Sequence, residues 1–120
     1  MDTKLLSRIC WDWGVRCFGY EHMENRQVRA LRAAEEMIEL NQCLFVDKEK
    51  LHLLIDTVYD RPFGNPVQEL GGIMVTTLVL TRTLGCDLSD CTELEIHRCL
   101  SKTPEHFAKR NQEKNELGLT

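Results

Sequence analysis

The chain has no apolar run approaching the roughly 18 to 20 residues that cross a bilayer, which excludes a membrane-spanning helix. It has no excess of positive charge either. Fifteen Lys and Arg against nineteen Asp and Glu give a formal net charge of -4, so the basic stripe of a nucleic-acid binder is missing. None of its six cysteines, at 10, 17, 43, 86, 91 and 99, forms a CxxC pair. Only Cys86, Cys91, His97 and Cys99 offer zinc-ligand types together, at irregular spacing, and free thiols in a reducing compartment are expected. The start, Met1-Asp2-Thr3-Lys4, leads into charged and aromatic residues instead of an apolar signal segment. A cytoplasmic protein with no membrane and no nucleic-acid partner is expected.

What is present is a set of helix signals in 120 residues, enough for one domain with a modest core. Leu5, Leu6, Ile9 and Trp13 predict a short helix over 4–13, ended by Gly14. A longer helix follows over 24–45. Asp47 is a plausible N-cap for a third, with Leu51, Leu54, Ile55 and Val58 at i, i+3, i+4 and i+7. That helix must stop before Pro62, and Arg61-Pro62-Phe63-Gly64-Asn65-Pro66 reads as a rigid turn. Residues 67–84 contain the β-branched Val75, Thr76, Thr77 and Val79, yet the apolar stretch is too long for an ordinary strand and fits a buried helix better. The next helix opens near Asp87 to Asp90, with Asp90 and Glu93 matching a capping box, and runs to about Ser101. Thr103-Pro104 opens a last helix, and Gly118 lies past its end. The sum is an all-α single domain over 1–120.

The 24–45 helix carries Glu35-Glu36-Met37-Ile38-Glu39 between apolar residues on two sides, Leu31, Ile38 and Phe45 on one and Ala33, Met37, Leu40 and Leu44 on another. A helix apolar on two sides is expected to be enclosed by partners. Enclosed carboxylates need a cation. Either Mg²⁺ or Mn²⁺ suits such hard oxygen ligands, and internal arginines at 26, 29 and 32 are the competing partners. Glu69, the only charge between Arg61 and Arg82, is the candidate ligand from a facing element. A first-turn glutamate is also favoured by the helix dipole alone. Gly71-Gly72 predicts close backbone approach by another helix or a phosphate. Lys102, Lys109, Arg110 and Lys114 collect near the C-terminus, with Arg110 and Lys114 at i, i+4; they are either solvated or phosphate contacts. Trp11, Trp13, Phe18 and Tyr20 are packing aromatics or a base-stacking set.

The order EExxE, then a helix opening Glu69-Leu70-Gly71, then a Lys/Arg-rich end resembles the MazG-like all-α nucleoside triphosphate pyrophosphohydrolases. Tyr59-Asp60-Arg61-Pro62-Phe63-Gly64 and Gln68-Glu69-Leu70-Gly71-Gly72-Ile73-Met74-Val75-Thr76 resemble a phage- or mobile-element-associated branch. The resemblance covers about residues 18 to 118. It implies a helical bundle completed by homodimer or homotetramer formation, and Mg²⁺-dependent conversion of a (d)NTP to (d)NMP and pyrophosphate. It implies Glu36, Glu39 and Glu69 as metal ligands, Glu35 or Glu39 as the catalytic carboxylate, and Lys102, Arg110 and Lys114 as substrate-phosphate contacts. The chain departs from the family at Gly72, where the second-helix motif ExxD places an aspartate. Asp56, Asp60, Asp90 or a water would have to replace it. A catalytically weak nucleotide- or metal-binding relative with a regulatory or interaction role is the alternative.

Overall fold

The computed structural model describes residues 2–120; Met1, where the N-terminal expectation begins, lies outside them. The described residues form α1 (Thr3–Phe18), α2 (Tyr20–Met23), α3 (Arg26–Cys43), α4 (Lys48–Tyr59), α5 (Pro66–Leu84), α6 (Leu88–Ser101) and α7 (Pro104–Glu116), with no strand. The all-α expectation holds, including for 67–84, where length outweighs β-branching.

Local chemistry sets most boundaries. Asp2 caps α1 by accepting from the Lys4 and Leu5 N–H groups. The Asn65 side chain accepts from Val67 and Gln68 N–H at 2.9 and 3.2 Å, and Pro66 occupies the first position of α5. Thr103 and Pro104 open α7 in the same way, with Thr103 Oγ1 accepting from His106 N–H at 3.2 Å. Gly85 ends α5 with φ 67, the left-handed conformation that glycine adopts without a Cβ clash. Asp47 sits at the cap position of α4, though its side chain accepts no hydrogen bond there.

Three boundaries differ from expectation. Helix α1 continues through Gly14 to Phe18, because Gly14 is buried and makes room for Met23: a Cβ there would lie 2.7 Å from the Met23 sulfur. The stop comes at Gly19, whose φ 84 and ψ 155 belong to a region open essentially to glycine. Asp87, not Asp90, caps α6, its Oδ1 accepting from Asp90 N–H at 3.1 Å. Asp90 thus sits inside the first turn. At the end of α3 a non-glycine takes the left-handed position: Phe45 has φ 60, with the Phe45 and Val46 N–H groups closing onto Gln42 and Asn41 carbonyls.

The chain divides into two compact units. The first takes in α1, α2, α3 as far as Met37, and everything from Thr92 onward. Its core is small: Cys17, Met23 and Val28 are buried, and α1 packs on α7 and α2. Trp13 is edge-on to Phe107 of α7 at 4.9 Å and to Phe18 at 5.8 Å. The second unit, Ile38–Cys91, holds the end of α3, α4, α5 and the start of α6. None of its residues is buried. The enclosure expected around the apolar sides of α3 is therefore not supplied by this chain: Leu31, Ile38 and Leu44 are all at least 40% exposed.

Candidate functional site

Helix α3 displays the carboxylates by its periodicity: Glu36 and Glu39 are one turn apart, and Glu35 and Glu39 are four apart. The three meet different surroundings. Glu35 is half-buried and bonded to two cations, Arg32 Nη1 on its own helix and Lys114 Nζ on α7, each at 3.0 Å. Burial pushes the Glu35 carboxyl up, but Lys114 and Arg32 outweigh it and hold the group below the usual carboxylate range. Glu36 is exposed and engaged, and it contributes attraction to Arg98, whose guanidinium is held chiefly by Glu95 at 2.6 to 3.1 Å. Glu39 is exposed.

Glu69 lies in the first turn of α5, as the dipole favours, with its backbone N–H on the Asn65 carbonyl at 2.9 Å. Its side chain folds back over Gly64. A Cβ on Gly64 would meet the Glu69 carboxyl carbon at 3.2 Å, so the turn glycine leaves the space that this carboxylate fills. Gly71 and Gly72 are uncrowded: a Cβ on either would find nothing within 4 Å. The close approach expected there is not made by any part of this chain. Lys102 stands in the α6–α7 connection, Arg110 is exposed on α7, and Lys114 is half-buried on Glu35. Of the site residues named from sequence, the structure brings Lys114 to Glu35.

Among the described residues no group of three or more His, Cys, Asp or Glu is placed to hold a metal ion. The same holds for Cys86, Cys91, His97 and Cys99 and for Glu36, Glu39 and Glu69 taken as a set; the neighbouring Cys86, with Asp90 and Asp87, raises the Cys91 thiol. For Mg²⁺ a full protein cage is not required. That ion commonly keeps several waters and takes one or two carboxylates together with substrate phosphates. Glu36 and Glu39, adjacent on one turn, fit that mode.

The arginines expected as competing partners of the carboxylates divide, Arg32 meeting Glu35 and Arg29 turning to an aromatic ring. Arg29 and Arg32 lie one turn apart on α3, and Arg29 sits over the Phe18 ring at 5.5 Å. His22 of α2 stands 5.8 Å from the same ring. Burial and Arg32 lower the Arg29 pKa; burial, then Arg29, with Arg32 a lesser cause, lower that of His22 against a raising contact with Asn111. The only signal in the sequence was the spacing of Arg26, Arg29 and Arg32 ahead of the glutamates.

No helix among the described residues is long and apolar enough to cross a membrane. Compared with family models, curated proteins and solved structures, the chain matches none.

Proposed function

We propose that this chain is the subunit of a cytoplasmic, Mg²⁺-dependent nucleoside triphosphate pyrophosphohydrolase that works as a homodimer or homotetramer with a MazG-like fold. The observation that carries this reading is the placing of Glu36 and Glu39 one turn apart on α3, on the turn that also carries Glu35, itself bound to Lys114 and Arg32. Two carboxylates on one turn can hold a cation that a triphosphate completes. When bound, Mg²⁺ neutralises phosphate oxygens and acidifies a water. The chain's own part is to position the nucleotide, with Lys102, Arg110 and Lys114 drawing negative charge off the departing pyrophosphate. Glu39, exposed and one of that pair, would also orient the attacking water.

Oligomer formation has physical support of its own. Helix α5 is apolar nearly all round, yet Val67, Leu70, Val75 and Val79 are each more than 60% exposed. A helix of that pattern belongs in an interior. The open space over Gly71 and Gly72 is what a second helix would need to pack closely.

A second reading, a catalytically weak nucleotide- or metal-binding relative, draws on Glu35. The first glutamate of the motif is already bound to two cations and held ionised, so it is a poor proton acceptor. Gly72 in place of an aspartate weighs the same way. The deciding experiment incubates the protein with a panel of NTPs and dNTPs plus Mg²⁺ and measures pyrophosphate. Release that Glu39→Gln abolishes, with circular dichroism unchanged, supports the hydrolase. Nucleotide binding without any release supports the second reading.

A further inference from the structure

Four side-chain nitrogens in the first unit are shut off from solvent and have no hydrogen-bond partner: Trp13 Nε1, His22 Nε2, Arg29 Nε and Arg32 Nε. No side-chain oxygen among the described residues is in that condition. Three of the four are obligate N–H donors, and the imidazole nitrogen becomes one on protonation or in the other tautomer. Buried polar groups are normally satisfied, so an orphan asks for an explanation such as a missing water or ion. A set made only of nitrogens asks for an acceptor.

The four belong to one contiguous cluster. Trp13 touches Phe18, Phe18 is flanked by His22 and by the Arg29 guanidinium, and Arg32 lowers the proton affinity of both His22 and Arg29. Charge points the same way. Arg29, Arg32 and Lys114 are three cations, and Glu35, bonded to Arg32 and Lys114, is the one carboxylate in ion-pair contact with any of them. Arg32 is engaged on both arms, Nη1 on Glu35 and Nη2 on the Leu119 carbonyl. Among the described residues Arg29 makes no ion pair, is half-buried, and is the cation still free to take a ligand. A planar guanidinium fork backed by an aromatic ring suits an oxyanion such as phosphate.

We propose that Arg29, with Arg32, His22 and Trp13 around it, forms a binding site for a phosphate group, built from α1, α2 and α3 in the first unit. The site includes none of Glu36, Glu39 and Glu69 and needs no metal, so it stands or falls independently of the pyrophosphohydrolase reading. Of its residues only Arg32, which holds Glu35, also enters that reading. Its ligand is inorganic phosphate, pyrophosphate or the terminal phosphate of a larger molecule.

The test titrates the full-length chain with inorganic phosphate, pyrophosphate and acetate at constant ionic strength, without divalent cations. The His22 imidazole is followed by NMR across pH, assigned with His22→Gln. Trp13 fluorescence is followed in a Trp11→Phe background. Phosphate or pyrophosphate is expected to raise the His22 pKa, because an anion beside Arg29 removes the repulsion that lowers it. Arg29→Gln is expected to weaken binding by about tenfold or more, and Arg29→Lys, which keeps charge and loses the fork, by less. Pyrophosphate binding tighter than phosphate would assign the site to a polyphosphate end; the reverse order would assign it to a single phosphoryl group. An unmoved His22 titration up to about 10 mM ligand, equal binding of acetate, or wild-type affinity in a folded Arg29→Gln protein would each overturn the assignment.

Discussion

Glu35 shows how one side chain's role is set by its neighbours. Its spacing in EExxE makes it a metal-site or catalytic glutamate, and its contacts make it the link between α3 and α7. Because its pKa is depressed, its contribution to stability is present above the ordinary carboxylate range and disappears as pH falls through the lowered value. Glu35→Gln should therefore destabilise the fold at pH 7, by about 0.5 to 1 kcal/mol given that a third of the side chain is exposed. The penalty should shrink as pH falls below the ordinary carboxylate range, and urea unfolding of both proteins across pH would show it. Equal stabilities at pH 7 would mean the ion pair is neutral to folding. His22 has the opposite charge type and the same sign of effect. Buried and lowered by Arg29, it adds stability that is lost as pH drops below the ordinary histidine value, when the unfolded chain takes up the proton first. His22→Gln should flatten the stability profile between about pH 5 and 7.5.

Among the helices, α1 teaches the most. Gly14 marks a helix end in sequence, and glycine in a helix interior costs about 0.5 to 1 kcal/mol relative to alanine. The helix continues because the absent side chain is the space that Met23 fills, and Met23 is one of three buried apolar side chains. Gly14→Ala sets the propensity gain against overpacking of about 1 to 3 kcal/mol. Methionine is pliable enough to keep that cost near the lower end. The expected outcome is a net loss of about 1 kcal/mol by thermal unfolding, reversed in sign when Met23 is also shortened to Ala. The opening of α7 at Thr103-Pro104 was legible because its cause is local, and the ends of α5 follow the same chemistry. Asn65-Pro66, Thr103-Pro104 and Gly85 act on backbone groups within four residues of themselves. Asp87 displaced Asp90 as the cap of α6 because both aspartates satisfy the local rule and only the backbone conformation chooses.

On the scale of the whole molecule, the two units differ in how much they hold inside. The first has a buried cluster, aromatic contacts and cross-helix ion pairing. The second has no buried residue, and Phe63 and Phe45 are 98% and 93% exposed. Apolar side chains on this scale mark an interaction surface. In the proposed oligomer that surface meets a second copy, so Leu70→Glu on α5 should weaken self-association by about 30-fold, corresponding to about 2 kcal/mol. Analytical ultracentrifugation across protein concentration reads this directly. A mutant that sediments like the wild type would remove α5 from the interface.

Sequence by itself determined that the chain is helical, where most helices begin and end, and which turn of α3 gathers its carboxylates. These follow from interactions among residues close in the chain, which periodicity and capping chemistry express. Only the tertiary structure decided that Gly14 lies inside a helix, that Lys114 is bound to Glu35, and that Arg29 is left without a counter-charge. Each of those depends on side chains brought together from distant segments, and the energy of an ion or a cavity is fixed by what surrounds it in space.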